Sequence, residues 1–479
     1  MKKIIYFITV FFASLIGFAQ DGSLDLSFVV QDGVAEYSQA IVQADGKILI
    51  VENFVDSNGN TSPSKVKRFN NNGNVDGSFN DLIVTEGGFM ASLAIQPDGK
   101  IIVVGPFTEL NNVTVNNLVR LNPDGSLDMS FNNNPEIDGS LLSVAIQADG
   151  KILVGGVFQN YNGVSRDGLA RLNLDGSLDL TFNTSIGFTD NNYITKIITQ
   201  NDGKILVSGL LSFSGVFKLI NRLNSDGSED ESFINITPFI YMYCDYGCGY
   251  YSVFLEKDNK ILIGGVFDVY NDINHTQLLG SNMVRLNANG TLDTCFYTDL
   301  NISDTNSFYP SAIQSDGKII VTGYYPDYNG QVINNIARLQ PNGQIDTDFD
   351  IGSGSNGGIS SAVVQPDGKI IITGIFTEYD GVPRNHIARI NSTSSLSSEE
   401  FGGKTVKFYP NPVKDILHLD LPQGVTAKQY EIYDLLSKGA TTATVLNYNS
   451  INVSHLSNGV YMLKVETSDG YFINKFLKE

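Results

Sequence analysis

The chain is poor in the side chains on which catalysis and phosphate recognition depend. Its 479 residues include four His, three Cys and 31 Lys and Arg, the last set against 51 Asp and Glu. The resulting net charge of −20 argues against a nucleic acid as partner, because phosphate binding requires clustered cations. An anionic membrane surface is disfavoured on the same ground.

Long apolar runs are equally rare. The clearest example lies at the start, where Lys2 and Lys3 precede an apolar run that ends in Gly17 and Ala19. Two cations, an apolar stretch and small residues before a cut are the pattern of a secretion signal. We therefore predict a cleaved signal peptide at residues 1–19. No later stretch is long enough to span a bilayer, so no membrane insertion is predicted.

No pattern of catalytic or metal-binding residues is recognisable. The four His are scattered, and no Gly-rich phosphate loop, nucleophile elbow or zinc spacing occurs. We predict no catalytic residue, no metal and no cofactor. Cys244 and Cys248 lie close together in "YCDYGCGYY" and are candidates for a local disulfide in an oxidising compartment. Cys295 is predicted to be a small packed residue.

Two phrases alternate along the chain, seven times each. The first is "QADGKILI" at 43–50, and the second is "RLNPDGSLDMSF" at 120–131. A near-fixed period of about 50 to 60 residues is the signature of a solenoid or a propeller. Each phrase predicts a β-hairpin, because apolar β-formers flank a three-residue turn that ends in Gly, such as Gly99 or Gly125. Two hairpins per repeat give the four strands of one propeller blade.

The two phrases are out of step at the ends of the repetitive region. "DGSLDLSF" at 21–28 has no Arg-led strand before it, whereas the last Arg-led strand has no "LDxSF" after it. We predict that Leu24–Phe28 closes the ring as the fourth strand of the last blade. The hairpin register pairs the Arg of each repeat with its Asp, and the last such pair is Arg389 with Asp25. A cross-strand pair of this kind contributes about 0.2–1 kcal/mol.

Residues 21–391 resemble the delta-60 repeat proteins, whose units carry "AIQxDGKILVGGxF" followed by "RLNxDGSLDxSF". The resemblance implies a secreted, β-propeller-like protein and no particular activity. Together with the repeat count it predicts an all-β fold: a seven-bladed β-propeller at residues 20–391, closed by its N-terminal strand.

A second resemblance begins after a Ser/Gly-rich linker at residues 392–405. Residues 406–479 have the pattern of short strands expected of a small Ig-like β-sandwich. They resemble the type A sorting domain of the type IX secretion system, and the residues that carry the resemblance are Tyr409, Pro410, Asn411, Pro412, Asn458, Gly459, Tyr461, Lys475 and Phe476. This resemblance implies export through the periplasm to the cell surface or medium. It also implies as partners the secretion machinery and its C-terminal signal peptidase.

The topology of a four-stranded blade predicts where a ligand would bind. Both Asp-Gly turns fall on one rim, and the longer, variable connections fall on the other, which is the natural recognition face. Aromatic side chains there could stack on sugars or anchor a protein partner, although packing within turns is an alternative role. The candidates are Tyr161, Tyr270, Tyr328, Tyr379, Tyr241, Tyr243 and Tyr246.

The sequence therefore predicts a binding or adhesion module that recognises an unidentified extracellular glycan or protein. Two alternatives stay open. One is a surface glycan-active hydrolase or lyase with a carboxylate or Tyr site in the propeller's central cleft, which clustered carboxylates in a deep central pocket would favour. The other is a structural scaffold that binds nothing.

Overall fold

The fold is known from a computed structural model of the full chain. It describes residues 20–31, 33–36, 38–55, 61–132, 134–184, 193–213, 216–234, 240–242, 251–270, 278–296, 308–323, 327–328, 331–332, 334–392, 407–409, 412–421, 427–433, 439–444, 450–457, 459–467 and 470–479. These residues are built entirely of strands, turns and connections, and they divide into a unit ending at Ser392 and a unit beginning at Thr393.

The first unit contains 31 strands. Those of repeats 1 to 3 are β1 (Gln39–Val42), β2 (Ile48–Val55), β3 (Thr61–Phe69), β4 (Leu82–Gly87), β5 (Ser92–Ile95), β6 (Ile101–Val104), β7 (Phe107–Leu110), β8 (Val113–Thr114), β9 (Leu118–Leu121), β10 (Ser140–Ile146), β11 (Ile152–Val157), β12 (Asn160–Tyr161), β13 (Val164–Ser165) and β14 (Leu169–Leu172). Those of repeats 4 to 7 are β15 (Tyr193–Thr199), β16 (Ile205–Phe213), β17 (Val216–Leu223), β18 (Ile240–Met242), β19 (Tyr251–Leu255), β20 (Ile261–Tyr270), β21 (Leu278–Leu286), β22 (Phe308–Ile313), β23 (Ile319–Gly323), β24 (Asp327–Tyr328), β25 (Gln331–Val332), β26 (Ile336–Leu339), β27 (Ile359–Val364), β28 (Ile370–Gly374), β29 (Glu378–Tyr379), β30 (Val382–Pro383) and β31 (Ile387–Ile390).

The repeats form antiparallel sheets, and repeats 3, 6 and 7 each add a two-stranded sheet, β12-β13, β24-β25 and β29-β30. Five repeats give three-stranded sheets, in the orders β5-β6-β9, β10-β11-β14, β15-β16-β17, β22-β23-β26 and β27-β28-β31. Repeat 1 joins a six-stranded sheet, β1-β2-β3-β4-β7-β8, and in repeat 5 β18, β19 and β21 all pair within the sheet of β20. The seven repeats and their sheets make a seven-bladed β-propeller.

The central strand of each blade begins with a continuous apolar run, because both of its faces are covered. In β6, all four side chains from Ile101 to Val104 are buried. Ile101 and Val103 pack into a core shared with repeat 1, whereas Ile102 and Val104 pack into a core shared with repeat 3. A continuous apolar run is expected wherever a sheet is sandwiched in this way.

The hairpins have the predicted turns. Gly99 and Gly125 adopt φ +83°, the left-handed conformation that the three-residue loop requires. A Cβ added to Gly99 would lie 3.5 Å from Pro123, so the two Asp-Gly turns of a repeat lie side by side on one rim.

The fourth segment of each blade is not a strand, which corrects the four-stranded prediction. In repeat 2 it forms a single bridge, Leu121 with Leu127. The chain then turns, because the Asp128 carboxylate accepts hydrogen bonds from the Ser130 backbone N–H at 2.9 Å and from its hydroxyl at 2.6 Å. Such a side-chain-capped turn competes with strand pairing.

An ion network, which we call the blade latch, joins each blade to the next. In repeat 2, Arg120 Nε and Lys100 Nζ both donate to Asp128 Oδ2 at 2.8 Å, and the guanidinium lies 4.5 Å from the Phe131 ring centroid. Arg120 Nη1 also donates to the Leu174 carbonyl in repeat 3. Burial raises the pKa of Asp128, but the hydrogen bonds from Lys100, Ser130 and Arg120 outweigh it and hold the pKa well below its usual range.

The Arg–Asp pair of the latch recurs in all seven repeats, as Arg68–Asp76, Arg120–Asp128, Arg171–Asp179, Arg222–Asp230, Arg285–Asp293, Arg338–Asp346 and Arg389–Asp25. The pairs are buried, with a guanidinium over a Phe ring in each repeat. Because the pairs are buried, removal of one partner would leave an uncompensated charge, at a cost of about 3–5 kcal/mol.

The two ends of the repetitive region are in contact. Leu24 bridges Ile390, the Asp25 N–H donates to the Arg389 carbonyl at 2.8 Å, and Arg389 Nε donates to Asp25 Oδ2 at 2.8 Å. Arg389 Nη1 also donates to the Asn71 carbonyl in repeat 1. Residues 24–28 form one bridge and no strand, so closure of the ring by an N-terminal strand is not shown. That this contact between the N-terminal segment and β31 closes the ring stays a prediction.

The second unit is a small two-sheet domain. Its strands are β32 (Lys407–Tyr409), β33 (Ile416–Asp420), β34 (Ala427–Tyr433), β35 (Gly439–Thr444), β36 (Ser450–Asn452), β37 (Gly459–Thr467) and β38 (Gly470–Lys478). They form the sheets β32-β33-β36 and β35-β34-β37-β38. Leu417 and Ile451 of the first sheet share one buried cluster with Ile432, Leu463 and Phe476 of the second, as in a β-sandwich.

Candidate functional site

The innermost strands of five repeats line a cavity of about 470 Å³. These strands are β1, β15, β19, β22 and β27, and each ends just before the first hairpin turn of its repeat. The described lining residues are Gln39, Thr195, Lys196, Ser252, Val253, Phe254, Tyr309, Pro310, Ser311, Ser360 and Ser361.

Bulges lie beside the cavity in some of its strands. The pairing of β15 with β16 shifts register between Ile194 and Lys196, and the pairing of β27 with β28 shifts between Ile359 and Ser361. A bulge leaves one extra residue unpaired and re-aims the side chains beside it. Adjacent residues such as Ser360 and Ser361 line the cavity at these points, whereas the residues of β19 line it without a register shift.

Lys196 is the cation of the site. Its side chain is solvent-exposed within the cavity, and the protein around the cavity lowers the pKa of the ammonium below its usual range. None of the described residues that line the cavity is acidic, and the Lys196 ammonium forms no ion pair or hydrogen bond with a residue in the described ranges.

The other lining side chains supply neutral hydrogen-bonding groups. Several already bond within the protein: Ser252 Oγ donates to the Pro310 carbonyl at 3.0 Å, and Ser360 Oγ donates to the Thr373 carbonyl at 3.2 Å. Gln39 and Ser361 make no side-chain hydrogen bond to any residue that the structure describes. The amide of Gln39 and the hydroxyl of Ser361 each have both donor and acceptor capacity for a ligand.

Sequence reasoning missed Lys196, although a signal for it exists. Gln39, Lys196 and Ser361 each lie four residues before the residue that opens the first Asp-Gly turn of their repeat. The full set at that position is Gln39, Ser92, Ser143, Lys196, Ser252, Pro310 and Ser361, in which Lys196 alone is charged. Alignment of the repeats on their turns would have revealed it.

Two of the predicted aromatic contacts are wrong. Tyr161 and Tyr379 are fully buried, each in a core cluster between blades, so neither ring has a face free for a ligand. Burial raises the pKa of both phenols above the usual range. Tyr379 has a structural role, since its hydroxyl donates to the Gly22 carbonyl at 3.3 Å and so contacts the N-terminal segment.

The remaining predicted contacts and the predicted disulfide are beyond what the structure describes. Tyr241, Tyr270 and Tyr328 lie in β18, β20 and β24, but their side chains are outside the described part. Tyr243, Tyr246, Cys244 and Cys248 lie outside the described residues altogether. Cys295 is exposed and free, not packed as predicted, because it lies in the turn that follows Asp293.

The part of the chain that the structure describes was also searched for metal-binding clusters. Within the described ranges, no three His, Cys, Asp or Glu side chains come together as a metal site would require. A search of the same residues for a helix with the length and apolar character of a membrane span found none.

The predicted sorting residues occupy two environments. Tyr461 and Phe476 stack with ring centroids 5.7 Å apart, and Phe476 is fully buried in the sandwich core. Tyr409 is 55 % exposed at the end of β32, and Pro412 is also exposed. Gly459 begins β37 and Lys475 lies in β38, whereas Pro410, Asn411 and Asn458 are outside the described residues.

Family comparisons agree with both domains. The model of the family described as "Domain of unknown function (DUF5122) beta-propeller" matches seven segments that together exceed half of the chain: 43–79, 96–131, 147–182, 200–233, 256–296, 314–349 and 365–396. The model of the "Secretion system C-terminal sorting domain" matches residues 407–479. The predicted recognition of propeller repeats and of a type IX sorting domain is therefore confirmed, and the protein is exported to the cell surface or secreted.

Similar folds occur among solved structures at low identity. PorZ of Porphyromonas gingivalis, described as an essential surface component of the type IX secretion system, is 15 % identical over 95 % of this chain and 61 % of its own, with TM-score 0.44. This chain thus spans about three fifths of the length of PorZ. A gluconolactonase of Xanthomonas campestris is 11 % identical over 65 % of this chain and 89 % of its own, with TM-score 0.33. The WD40 propeller of Doa1 is 12 % identical over 65 % of this chain and 94 % of its own, with TM-score 0.30.

At identities and TM-scores this low, these similarities say nothing about the chain's activity. No curated protein matches the sequence.

Proposed function

Since the chain belongs to the family described as "Domain of unknown function (DUF5122) beta-propeller", we propose that it is an exported binding protein whose ligand site is the central cavity. The observation that carries this proposal is the cavity of about 470 Å³, which combines one cation with neutral hydrogen-bonding groups and aromatic rings. A few convergent polar groups in a concave pocket of this size are typical of small-molecule sites.

The lining favours binding over hydrolysis. A glycoside hydrolase built on this cavity would require paired carboxylates to donate and accept protons. The described lining supplies none, and its titratable groups are Lys196 and Tyr309. The ligand is an extracellular glycan or another small polar molecule, or a protein that inserts a side chain into the cavity.

A variant that fills the cavity tests this proposal. Ser361→Trp would place an indole among the lining residues, whereas Ser315→Trp would place one on an exposed turn outside the cavity. Ligands are first identified by screening the purified full-length protein against glycan arrays and extracellular protein libraries. We expect Ser361→Trp to lose the ligand and Ser315→Trp to retain it, with unchanged melting temperatures. Equal binding by both variants would place the ligand elsewhere, and a screen without any ligand would favour the scaffold alternative.

Export supplies the context for this function. We propose that residues 1–19 direct the chain into the periplasm and that residues 20–391 fold there as the passenger. Residues 406–479 then engage the type IX machinery, and its C-terminal peptidase cuts within residues 392–405. The exposed Tyr409 and Pro412 support a recognition role for the start of the sorting domain, because they are accessible while Phe476 is in the core.

A further inference from the structure

The described lining of the cavity differs in the sign of its charge from the chain as a whole. The chain carries a net charge of −20, yet the described lining of the cavity contains one Lys and no Asp or Glu. The Lys196 ammonium lies in a cavity that supplies no counter-ion among the described residues. An ammonium in that position is disfavoured by desolvation, and an anionic ligand would relieve the penalty.

We propose that Lys196 binds the carboxylate of an acidic sugar, whose hydroxyl groups are bound by Gln39 and Ser361. This inference deepens the proposed function, on which it rests, by naming the ligand class. The three residues occupy equivalent positions in repeats 4, 1 and 7, so they lie at the same level of the innermost strands. Lys196 is exposed to the cavity, and the two neutral side chains have unused hydrogen-bonding capacity among the described residues.

The charge count selects a singly charged ligand. One ammonium can neutralise one carboxylate through a charge-assisted hydrogen bond. A phosphate dianion or a polyanion would need further cations, which the described lining does not contain. An amino acid would also bring an ammonium group, and no lining carboxylate is described that could pair with it.

The neutral part of the lining suits a polyhydroxylated body. Hydroxyl groups of a sugar can both donate to and accept from the Gln39 amide and the Ser361 hydroxyl. The half-buried rings of Phe254 and Tyr309 offer apolar surface of the kind on which the C–H face of a pyranose packs. The volume of about 470 Å³ accommodates a single sugar residue, free or at the end of a chain.

The test compares acidic and neutral sugars on the purified full-length protein. Galacturonate and glucuronate are titrated calorimetrically, beside galactose and glucose as their uncharged parents. A hydrogen bond to a charged group contributes about 1.5–3 kcal/mol, so we expect the acids to bind roughly 10- to 100-fold more tightly. Equal affinity of acid and parent would overturn the inference without any mutation.

Variants of Lys196 assign the effect to that residue. Lys196→Met removes the charge at similar volume, Lys196→Arg keeps it, and Lys257→Met removes a charge from a turn outside the cavity. We expect Lys196→Met to abolish the preference for acids while the weak binding of neutral sugars persists. Lys196→Arg and Lys257→Met should both retain the preference. A preference that survives in Lys196→Met would overturn the assignment.

Two further results separate this inference from the proposed function. If neither acidic nor neutral sugars bind, while another ligand is lost in Ser361→Trp, the sugar assignment is wrong and the cavity remains the binding site. If nothing binds and Ser361→Trp affects no ligand, both fail. Short oligouronates, compared with the monomers, distinguish a free sugar acid from the acidic end of a polysaccharide.

Discussion

A disulfide between the two ends of the repetitive region tests whether the propeller ring is closed by the N-terminal segment. Leu24 and Ile390 form a non-hydrogen-bonded antiparallel pair, since Asp25 N–H donates to the Arg389 carbonyl and Asn391 N–H donates to the Ser23 carbonyl. Cα atoms in such a pair lie about 4.5 Å apart, within the range of disulfides. We expect the double variant Leu24→Cys, Ile390→Cys to form the bond in mild oxidant.

The same chain offers a matched local control. Leu121 and Leu127 form the equivalent bridge in repeat 2, with the same two flanking hydrogen bonds. The control disulfide closes a loop of about 6 residues and is expected to stabilise the fold by about 2 kcal/mol from the chain-entropy relation. The disulfide between positions 24 and 390 closes a loop of about 366 residues and is expected to stabilise the fold by about 6 kcal/mol. For a domain of about 370 residues, these values correspond to shifts in melting temperature of roughly 3 °C and 8 °C.

The measurement is the melting temperature of each double variant with and without reductant, so that the cost of replacing buried side chains cancels. The unmodified protein, treated identically, corrects for the native cysteines. If the Leu24→Cys, Ile390→Cys variant does not cross-link, or its melting temperature shifts no more than that of the control, the two ends do not meet in solution and the reasoning is refuted.

Four other predictions concern the latch and the sorting domain. Asp128→Ala leaves two cations without their shared carboxylate, so we expect a loss of about 3–5 kcal/mol in the free energy of unfolding by denaturant titration. Because the folded-state pKa values of the latch carboxyls lie below the ordinary Asp value of about 3.9, their stabilisation is present above that value. This stabilisation should be lost as the pH falls below that value, and circular dichroism should show cooperative acid unfolding. A circular dichroism signal with no transition in that pH range would contradict the prediction. Phe476→Ala should unfold the sorting domain, at a cost of about 3–5 kcal/mol, whereas Tyr409→Ala should leave it folded but reduce export, measured by surface labelling. Removal of residues 406–479 should retain the propeller in the periplasm, and normal display of that truncation would argue against the sorting role.

The sequence was most informative where structure is decided locally. The turn around Gly125 and the register that follows it are set by a few adjacent residues, and both were predicted correctly. The fourth strand was not, because its prediction considered apolar pattern alone. The Asp128 side chain hydrogen-bonds to the backbone two residues later and bends the chain away from the sheet. That competition between side chain and backbone lies outside any count of apolar residues.

The candidate site was less predictable, because it depends on which way side chains point. Tyr161 was expected on a recognition rim, but β12 turns its ring into the core between blades, where it is fully buried. Lys196 was overlooked because its strand reads as an ordinary apolar one. The structure shows that Lys196 faces the cavity, beside a bulge in β15. Neither orientation follows from the spacing of residues along the chain.

Two residues depart from the pattern that the other repeats share, Arg338 and Lys196. Arg338 binds the Asp21 carboxylate at 2.6 Å, where the latch Arg of other repeats, such as Arg120, binds a turn carbonyl of the next repeat. This departure follows from topology, since the corresponding turn of repeat 7 is divided between the two ends of the repetitive region. Lys196 has no such explanation: its blade needs no charge there, and equivalent positions hold Ser, Gln or Pro. An ammonium at this position, with no acidic residue in the described lining, is the feature on which the proposed ligand site depends.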